Sequence, residues 1–214
     1  MSTVNYEQSE AVATITLDDG KVNALGPAMQ QNINAALDQA QHAAALGEVK
    51  AIVLAGNNRV FSAGFDLAIF GSGDPMAGLA MLGGGLELMV RILTFQVPVV
   101  MAATGPAIAG GSFLLLSGDY RVGSAKSRCQ ANEVAIGMTV PQAVVEIVRM
   151  RLTPAAFQRA VGLAATFAGT DAVAAGFAAT LHPAHHLASK LKARANALAA
   201  IRVGIDGLPA EFGG

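Results

Sequence analysis

The chain has 214 residues, of which 53% are hydrophobic and 14% charged, and its formal net charge at pH 7 is -1. This length and hydrophobicity predict one globular unit with a sizeable core, and the near-neutral charge argues against nucleic acid or an anionic membrane surface as a partner. The single cysteine, Cys129, excludes an intramolecular disulfide and a multi-cysteine metal site. Since this usage is typical of a reducing compartment, we expect a cytoplasmic protein.

Residues 92–118 carry no charge and are together long enough to cross a bilayer. Pro98, Pro106 and the glycine pair Gly110 and Gly111 interrupt this segment. Prolines and glycines at these positions favour a strand, a turn and a buried helix start over one membrane-spanning helix. The mean hydropathy of +0.47 then predicts a tight core or subunit interfaces, and we expect an oligomer because excess apolar surface must be covered.

The first half of the chain alternates strands with helices. A half-buried strand is predicted in AVATITL, and Pro27 opens a helix whose apolar residues recur at helical spacing from Met29 to Ala40. KAIVLAG and PVVMAATG predict two buried strands, each followed by a glycine-containing loop. A helix from about Met76 to Leu93 lies between them, weakened in its middle by three consecutive glycines.

The second half continues with short strands and then helices. The expected elements are strands in YRVGS and SRCQ, helices that open at Pro141 and Pro154, a short helix that ends at Gly176, and an alanine-rich terminal helix from His185 to Ile205. Strands that alternate with helices predict an α/β fold.

The sequence lacks the residues that several common catalytic and binding motifs require. GPAIAGGS resembles a phosphate-binding loop, but Gly111 stands where that motif needs lysine, and no G-x-G-x-x-G follows either strand. No G-x-S-x-G is present, and the histidines stand on polar helical stretches, which leaves a serine or cysteine triad without an obvious base. His182 and His186 have a spacing that zinc can use, but without a third ligand a solvated helix face is favoured, and we predict no metal.

Two glycine loops carry the main functional signal. SAGFDL and AIAGGSF each place main-chain N–H groups between the end of a predicted strand and the start of a helix. If the loops face each other, they form an oxyanion hole, in which each donor contributes about 3 to 4 kcal/mol to a transition state with charge on oxygen. On these residues alone, glycines that merely permit close packing of helix on strand remain an equal alternative.

Three motifs resemble the crotonase family, the enoyl-CoA hydratases and isomerases. In chain order they are AIVLAGNNRVFSAGFDL, GPAIAGGSFLLLSGDYR and ANEVAIGMTVP, and the resemblance runs from about Val12 to Gly176. It implies a spiral of ββα units with a C-terminal helical trimerisation region, with residues 1–176 as a core that holds an acyl-CoA site and 177–214 as the helical region. It also implies an acyl-CoA thioester substrate, a homotrimer or dimer of trimers, and no cofactor apart from the coenzyme A of the substrate.

The resemblance also assigns roles to single residues. The main-chain N–H groups of Phe65 and Gly110 correspond to the oxyanion-hole donors, and Glu133 corresponds to a catalytic carboxylate. Phe113 stands where the family's hydratases have another glutamate. Because a double-bond shift needs one acid–base group whereas hydration usually uses two carboxylates, we favour an enoyl-CoA isomerase. An enoyl-CoA hydratase and a non-catalytic acyl-CoA-binding protein remain alternatives.

The remaining expectations concern ligand contacts and the chain end. Candidate contacts for coenzyme A or the acyl chain are Val22, Ala24, Ala63, Asp66 and Phe113. Lys190, Lys192 and Arg194 could meet phosphates, but we expect them on a helix face in water, and we expect Asp119 to tie a loop to a helix start. After Gly176 the sequence lacks a strand and helix start that the resemblance implies.

Overall fold

The computed structural model describes residues 3–103, 105–124, 126–177 and 186–212. In this part of the chain the strands are β1 (Val4–Ser9), β2 (Val12–Leu17), β3 (Ala51–Ala55), β4 (Val99–Ala103), β5 (Ala107–Ile108), β6 (Tyr120–Gly123), β7 (Arg128–Gln130) and β8 (Phe167–Ala168). The α-helices are α1 (Pro27–Ala45), α2 (Leu67–Phe70), α3 (Pro75–Leu93), α4 (Gly110–Ser117), α5 (Gln142–Arg151), α6 (Pro154–Leu163), α7 (Gly169–Ala175) and α8 (His186–Phe212), and a 3-10 helix spans Val134–Ile136.

The described strands form two sheets. The larger has the order β1-β2-β3-β4-β6, in which β1 and β2 are antiparallel and the later neighbours are parallel. The smaller has the order β5-β7-β8, with β5 parallel to β7 and β8 antiparallel to it. Parallel neighbours need long crossovers, which α1, α3 and α4 provide. The predicted α/β fold is confirmed.

Helix α1 follows the predicted pattern. Pro27 occupies the first turn, where its missing N–H costs no hydrogen bond. The apolar residues at helical spacing face the core, and all are buried: Met29, Ile33, Ala36, Leu37 and Ala40. The face of α1 that packs on the sheet is therefore set by the sequence period.

Helix α3 is a core helix. It begins at Pro75, one residue before the predicted start, because the Asp74 carboxylate accepts hydrogen bonds from the N–H groups of Met76 and Ala77. By length and composition α3 could cross a membrane, but 56% of this stretch is buried inside the fold. Residues 92–118 instead contain the end of α3, then β4, β5 and α4, as the proline and glycine punctuation predicts.

Helix α8 is longer than expected and lies against α3 and α5. The sequence pattern favours an earlier end because Gly204, Gly207 and Pro209 are poor helix formers. A Cβ at Gly204 would lie 2.8 Å from the Cα of Ala143, so this glycine lets α8 cross α5 closely. The packing thus offsets the weak propensity.

The expectation that Lys190 and Arg194 lie in water is wrong. Lys190 Nζ is 2.8 Å from Asp119 Oδ2, Arg194 lies 2.8 Å from Asp119 Oδ1, and all three residues are buried. Lys190 Nζ also donates hydrogen bonds to the carbonyls of Ile92 and Phe95. Because α8 folds back over the core, its cations meet a buried carboxylate instead of solvent. The side chain of Lys192 lies outside the described part of the chain.

The role expected for Asp119 is also corrected. Its carboxylate accepts a hydrogen bond from the Val99 N–H at 2.8 Å, so it links the end of α4 to β4 and to α8 and not to a helix start. Burial alone would raise the pKa of Asp119, but the neighbouring cations and the Val99 N–H hold that pKa below its ordinary value. Burial lowers the pKa of Lys190 to about 8, against the opposing attraction of Asp119.

Candidate active site

Three chain segments end at the same edge of the smaller sheet. Ser62 forms a parallel bridge with Ala107 of β5, and β5 pairs in parallel with β7. The carboxyl ends of parallel neighbours meet at one edge, which is where α/β folds commonly bind ligands. Phe65, Gly110 and Glu133 each follow one of these segments by a few residues. The pairing therefore brings the three predicted functional positions into one region.

The two glycine loops face each other. Gly64 has φ +93, and a Cβ there would lie 3.0 Å from the Gly110 nitrogen. A Cβ at Gly110 would lie 3.3 Å from the Phe65 nitrogen. Ser62 Oγ fixes the first loop, since it accepts a hydrogen bond from the Gly64 N–H and donates one to the Asn23 carbonyl. The loops are thus in direct contact.

The N–H groups of Phe65 and Gly110 have no acceptor among the described residues. Gly110 is the first residue of α4, and the first-turn N–H groups of a helix have no partner within it. Two neighbouring free donors match the geometry of an oxyanion hole. The assignment of this role to the two N–H groups remains a prediction.

The glycines also serve close packing, as the alternative interpretation of these residues expects. A Cβ at Gly85 in α3 or at Gly110 would collide with the Phe65 ring, and a Cβ at Gly111 would collide with the Ser62 carbonyl. Gly85, one of the three glycines that weaken the middle of α3, therefore makes room for the side chain of a predicted donor residue.

A cavity of about 200 Å³ opens beside the loops. Its wall includes four of the predicted site residues, Ala63, Phe65, Phe113 and Glu133, and it includes Ala109, the neighbour of Gly110. The other lining residues are mostly apolar: Leu67, Phe70, Asp74, Pro75, Gly78, Leu79, Leu82, Asn132, Ile136, Met138, Thr139, Pro141, Val144 and Phe212. Its size and apolar wall suit a hydrocarbon segment better than a nucleotide.

Val22, Ala24 and Asp66 do not line the cavity. The Val22 carbonyl accepts a hydrogen bond from the Ala63 N–H at 2.9 Å, and Val22 itself is exposed. Asp66 is the N-cap of α2, where its side chain accepts from the Ala68 N–H at 3.0 Å. Val22 thus contacts the first glycine loop and Asp66 lies within it, and contact of Val22, Ala24 and Asp66 with coenzyme A remains a prediction.

Glu133 is a buried carboxyl in the cavity wall. Its residue is 6% exposed, and its Oε2 has no hydrogen-bond partner in the described structure. Burial raises the pKa of Glu133 to about 7. A hydrogen bond from its own main-chain N–H lowers this pKa, but by less than burial raises it. A carboxyl with a pKa near neutrality can accept a proton and return it at physiological pH.

Sequence reasoning missed several polar or aromatic lining residues, among them Asn132, Asp74 and Phe212. Asn132 Oδ1 is buried without a partner in the described structure, and its only sequence signal is its place before Glu133. Asp74 lines the cavity but is exposed and caps α3. Phe212 comes from the end of α8, where the sequence gives no sign of proximity to the cavity.

Two expectations fall on residues outside the described ranges. The first is the expectation that a strand and a helix start are missing after Gly176, since this position adjoins residues 178–185. The second concerns the possible zinc ligand His182, which is one of those residues. Within the described ranges, no group of three or more histidine, cysteine, aspartate or glutamate residues lies close enough to hold a metal ion.

Known proteins similar to this chain include solved structures and curated relatives. Two solved structures of one Mycobacterium tuberculosis protein are similar to this chain, and they describe that protein differently. The first is described as an enoyl-CoA isomerase; it is 49% identical with TM-score 0.92, and 99% of each chain is covered. The second is described as a probable enoyl-CoA hydratase; it is 51% identical with TM-score 0.93 and covers 99% of this chain and 96% of the other. A relative from Rhodobacter capsulatus, named probable enoyl-CoA hydratase, is 35% identical over 138 residues, which are 64% of this chain and 51% of the relative. The chain spans about half the length of the curated relatives that it matches. Since the enoyl-CoA hydratase/isomerase family model matches residues 7–208, the chain belongs to that family.

Proposed function

We propose that the protein is an enoyl-CoA isomerase that moves a β,γ double bond of an acyl-CoA thioester into the α,β position. One observation carries this choice. Among the described residues that line the cavity, Glu133 is the single buried carboxyl. The other carboxyl, that of Asp74, is exposed and accepts hydrogen bonds from main-chain N–H groups at the start of α3. One buried acid–base group is what a proton shift between two carbons of the same substrate requires.

The first half of the reaction removes a proton from C2. In the proposed complex the thioester oxygen lies between the N–H groups of Phe65 and Gly110, and the Glu133 carboxylate faces C2. Glu133 takes the C2 proton, and the electron pair of the C–H bond moves into a dienolate whose charge rests on the thioester oxygen. The two N–H groups stabilise this charge more than that of the neutral thioester, so they lower the barrier.

The second half returns the proton to C4. Glu133, now a carboxylic acid, donates its proton to C4 as the dienolate electrons form the new double bond between C2 and C3. The carboxylate is regenerated, and no redox partner is needed. A pKa near 7 suits both halves, because the group is neither too weak a base for the first nor too weak an acid for the second.

Phe113 supports isomerisation over hydration. It is 2% exposed and lines the cavity, where its ring excludes water and adds to the apolar surroundings of the site. Dry surroundings strengthen the hydrogen bonds to the oxyanion and limit side reactions of the dienolate with water.

Enoyl-CoA hydration is the second candidate. Similar proteins named probable enoyl-CoA hydratase favour it, as does the unpartnered Asn132 Oδ1 in the cavity wall, which could accept a hydrogen bond from a water molecule. It requires that Glu133 orient and activate that water without another buried carboxylate among the described lining residues.

The remaining parts of the proposal concern partners and location. We infer a homotrimer or dimer of trimers in the cytoplasm, without a separate cofactor and without nucleic acid or membrane as partner. The mean hydropathy of +0.47 supports the oligomer, because excess apolar surface is commonly covered by another subunit.

The test follows both reactions in one assay. The protein is incubated separately with a β,γ-enoyl-CoA and an α,β-enoyl-CoA, and the double-bond shift and the hydroxyacyl product are quantified for wild type, Glu133→Gln and the control Glu48→Gln. Glu48 is an exposed carboxylate, so its variant should keep wild-type rates. We expect isomerisation that falls about 100-fold or more in Glu133→Gln. Hydration as the main reaction would favour the second candidate, and binding without turnover would indicate a non-catalytic acyl-CoA-binding protein.

A further inference from the structure

The cavity has two chemically different parts. One part is formed by the loops that carry Phe65, Ala109 and Glu133, where the structure offers free N–H groups and a carboxyl. The other part is apolar and is formed by one face of α3, by residues around the start of α5 and by Phe212 of α8. If a thioester is held at the loops, the carbons beyond the reacting ones must extend along the apolar part.

Phe212 is the contribution of the C-terminal helix to this apolar part. It is partly buried and packs against the hydrophobic core. The adjacent Glu211 accepts a hydrogen bond at 3.4 Å from the N–H of Gln142, the first residue of α5. Pro141 and Val144, on either side of Gln142, line the same cavity. The last turn of α8 is therefore held where α5 begins.

The rest of α8 is also fixed in place. Its Leu208 side chain lies 3.9 Å from the position of a Cβ at Gly83 of α3, and Arg202 forms an ion pair with Glu87 of the same helix. Together with the Asp119 ion pairs, these contacts anchor α8 to the core at several points. Phe212 thus stands at the end of an anchored helix.

We propose that Phe212 is a specificity-determining residue that limits the length of the acyl chain the cavity accepts. This inference rests on the proposed function, since it takes the apolar cavity as the acyl site. A cavity of about 200 Å³ holds only part of a ligand, so an aromatic ring in its wall decides how many methylene groups are buried. Replacing that ring by a methyl group enlarges the apolar part, and a larger ring reduces it.

The test measures binding without turnover. Dissociation constants are determined by calorimetry for butanoyl-, octanoyl- and dodecanoyl-CoA, which lack the double bond, with wild type, Phe212→Ala, Phe212→Trp and the control Val203→Ala. In Phe212→Ala the preference for the longer thioesters should rise by about fourfold for each additional methylene that becomes buried. In Phe212→Trp the preference should move in the opposite direction. Val203 is 72% exposed on the same helix, so its variant should match wild type.

The outcomes separate this inference from the proposed function. Equal changes for all three thioesters and for free coenzyme A in Phe212→Ala would overturn the role in chain length, because they would place Phe212 against the coenzyme A part. A shifted chain-length preference in a protein that turns over neither enoyl-CoA would overturn the proposed activity alone. Absence of binding to every thioester would overturn both. Unfolding curves confirm that each variant is folded, and the opposite shift in Phe212→Trp guards against a general effect of altering α8.

Discussion

At the scale of single residues, burial gives Glu133 two properties at once. Removal from water raises the pKa of its carboxyl to about 7, which suits proton exchange with carbon at neutral pH. The same burial makes the charged form unfavourable in the folded protein, so the property that serves catalysis lowers stability. Both effects depend on pH, and they can be measured separately.

The activity should report the ionisation of Glu133 directly. Because the proposed base must be deprotonated in the free enzyme, kcat/KM for isomerisation should rise with pH and level off above about 7. A profile measured with a β,γ-enoyl-CoA in buffers of constant ionic strength checks this. A midpoint near the ordinary carboxyl value of 4.5 would contradict the buried-base assignment.

Stability should change with pH in the opposite sense. The folded-state pKa of Glu133 lies above the unfolded value of 4.5, so the folded state binds more protons between the two values and loses stability as pH rises through about 7. Glu133→Gln cannot lose this proton. Relative to that variant, the free energy of unfolding of wild type should fall by about 3 kcal/mol from pH 4.5 to above pH 7. Urea unfolding at several pH values measures it, and a constant difference would show that Glu133 ionises as if in water.

At the scale of elements, α3 couples helix packing to the first glycine loop. A Cβ at Gly85 would collide with the Phe65 ring, whereas a Cβ at Gly83 would have Leu208 as its nearest contact at 3.9 Å. The two glycines stand two residues apart in one helix, so substitution changes the intrinsic helix propensity equally. Any difference between the variants therefore reports the contacts at Gly85, above all the collision with the Phe65 ring, since the other neighbour, Gln30 Nε2, lies farther away at 3.3 Å.

Gly85→Ala and Gly83→Ala should have opposite effects. Gly83→Ala should raise the free energy of unfolding by up to about 1 kcal/mol and leave turnover unchanged. Gly85→Ala should lower it by about 1 to 3 kcal/mol and reduce kcat for isomerisation, because displacement of the Phe65 ring moves the Phe65 N–H. Chemical unfolding and the isomerase assay provide both measurements. Equal behaviour of the two variants would show that Phe65 adjusts without affecting the site.

The attachment of α8 depends on one buried carboxylate. Asp119→Asn leaves Lys190 and Arg194 buried without their countercharge, which should cost about 3 to 5 kcal/mol of unfolding free energy. The control Asp38→Asn removes the partner of Arg91 at a site where the Asp38 side chain is 72% exposed, and it should cost less than about 1 kcal/mol. Chemical unfolding compares them, and limited proteolysis within α8 should accelerate only in Asp119→Asn. Similar losses in both variants would contradict the buried ion pairs.

At the scale of the whole molecule, local sequence patterns predict the order of strands and helices well. They predict the contacts between distant segments poorly. The apolar period of α1 and the punctuation of residues 92–118 suffice for the α/β order, because these signals are local. The segment at Ser62 pairs in parallel with β5, and β5 pairs in parallel with β7. Because these segments end at the same edge, the motif residues that follow them come together. The pairing of Asp119 with Lys190 joins positions 71 residues apart, and no period in the sequence encodes it.

The same limit explains why only a small part of the cavity wall is predicted from the sequence. Phe65, Phe113 and Glu133 stand in motifs, whereas Phe212 reaches the cavity because α8 folds back across α3 and α5. Lys190 and Arg194 looked like a solvated helix face for the same reason. Amphipathic pattern shows that a helix has a buried side, but not which distant segment covers it.

The most direct test of the proposed chemistry is a crystal structure of the Glu133→Gln variant with a bound β,γ-enoyl-CoA. We expect the thioester oxygen at about 2.7 to 3.1 Å from the main-chain nitrogens of both Phe65 and Gly110. We also expect the side chain of residue 133 on the side of the acyl chain that exposes C2 and C4. A thioester oxygen bound elsewhere, or an acyl chain outside the cavity beside Phe113, would contradict it.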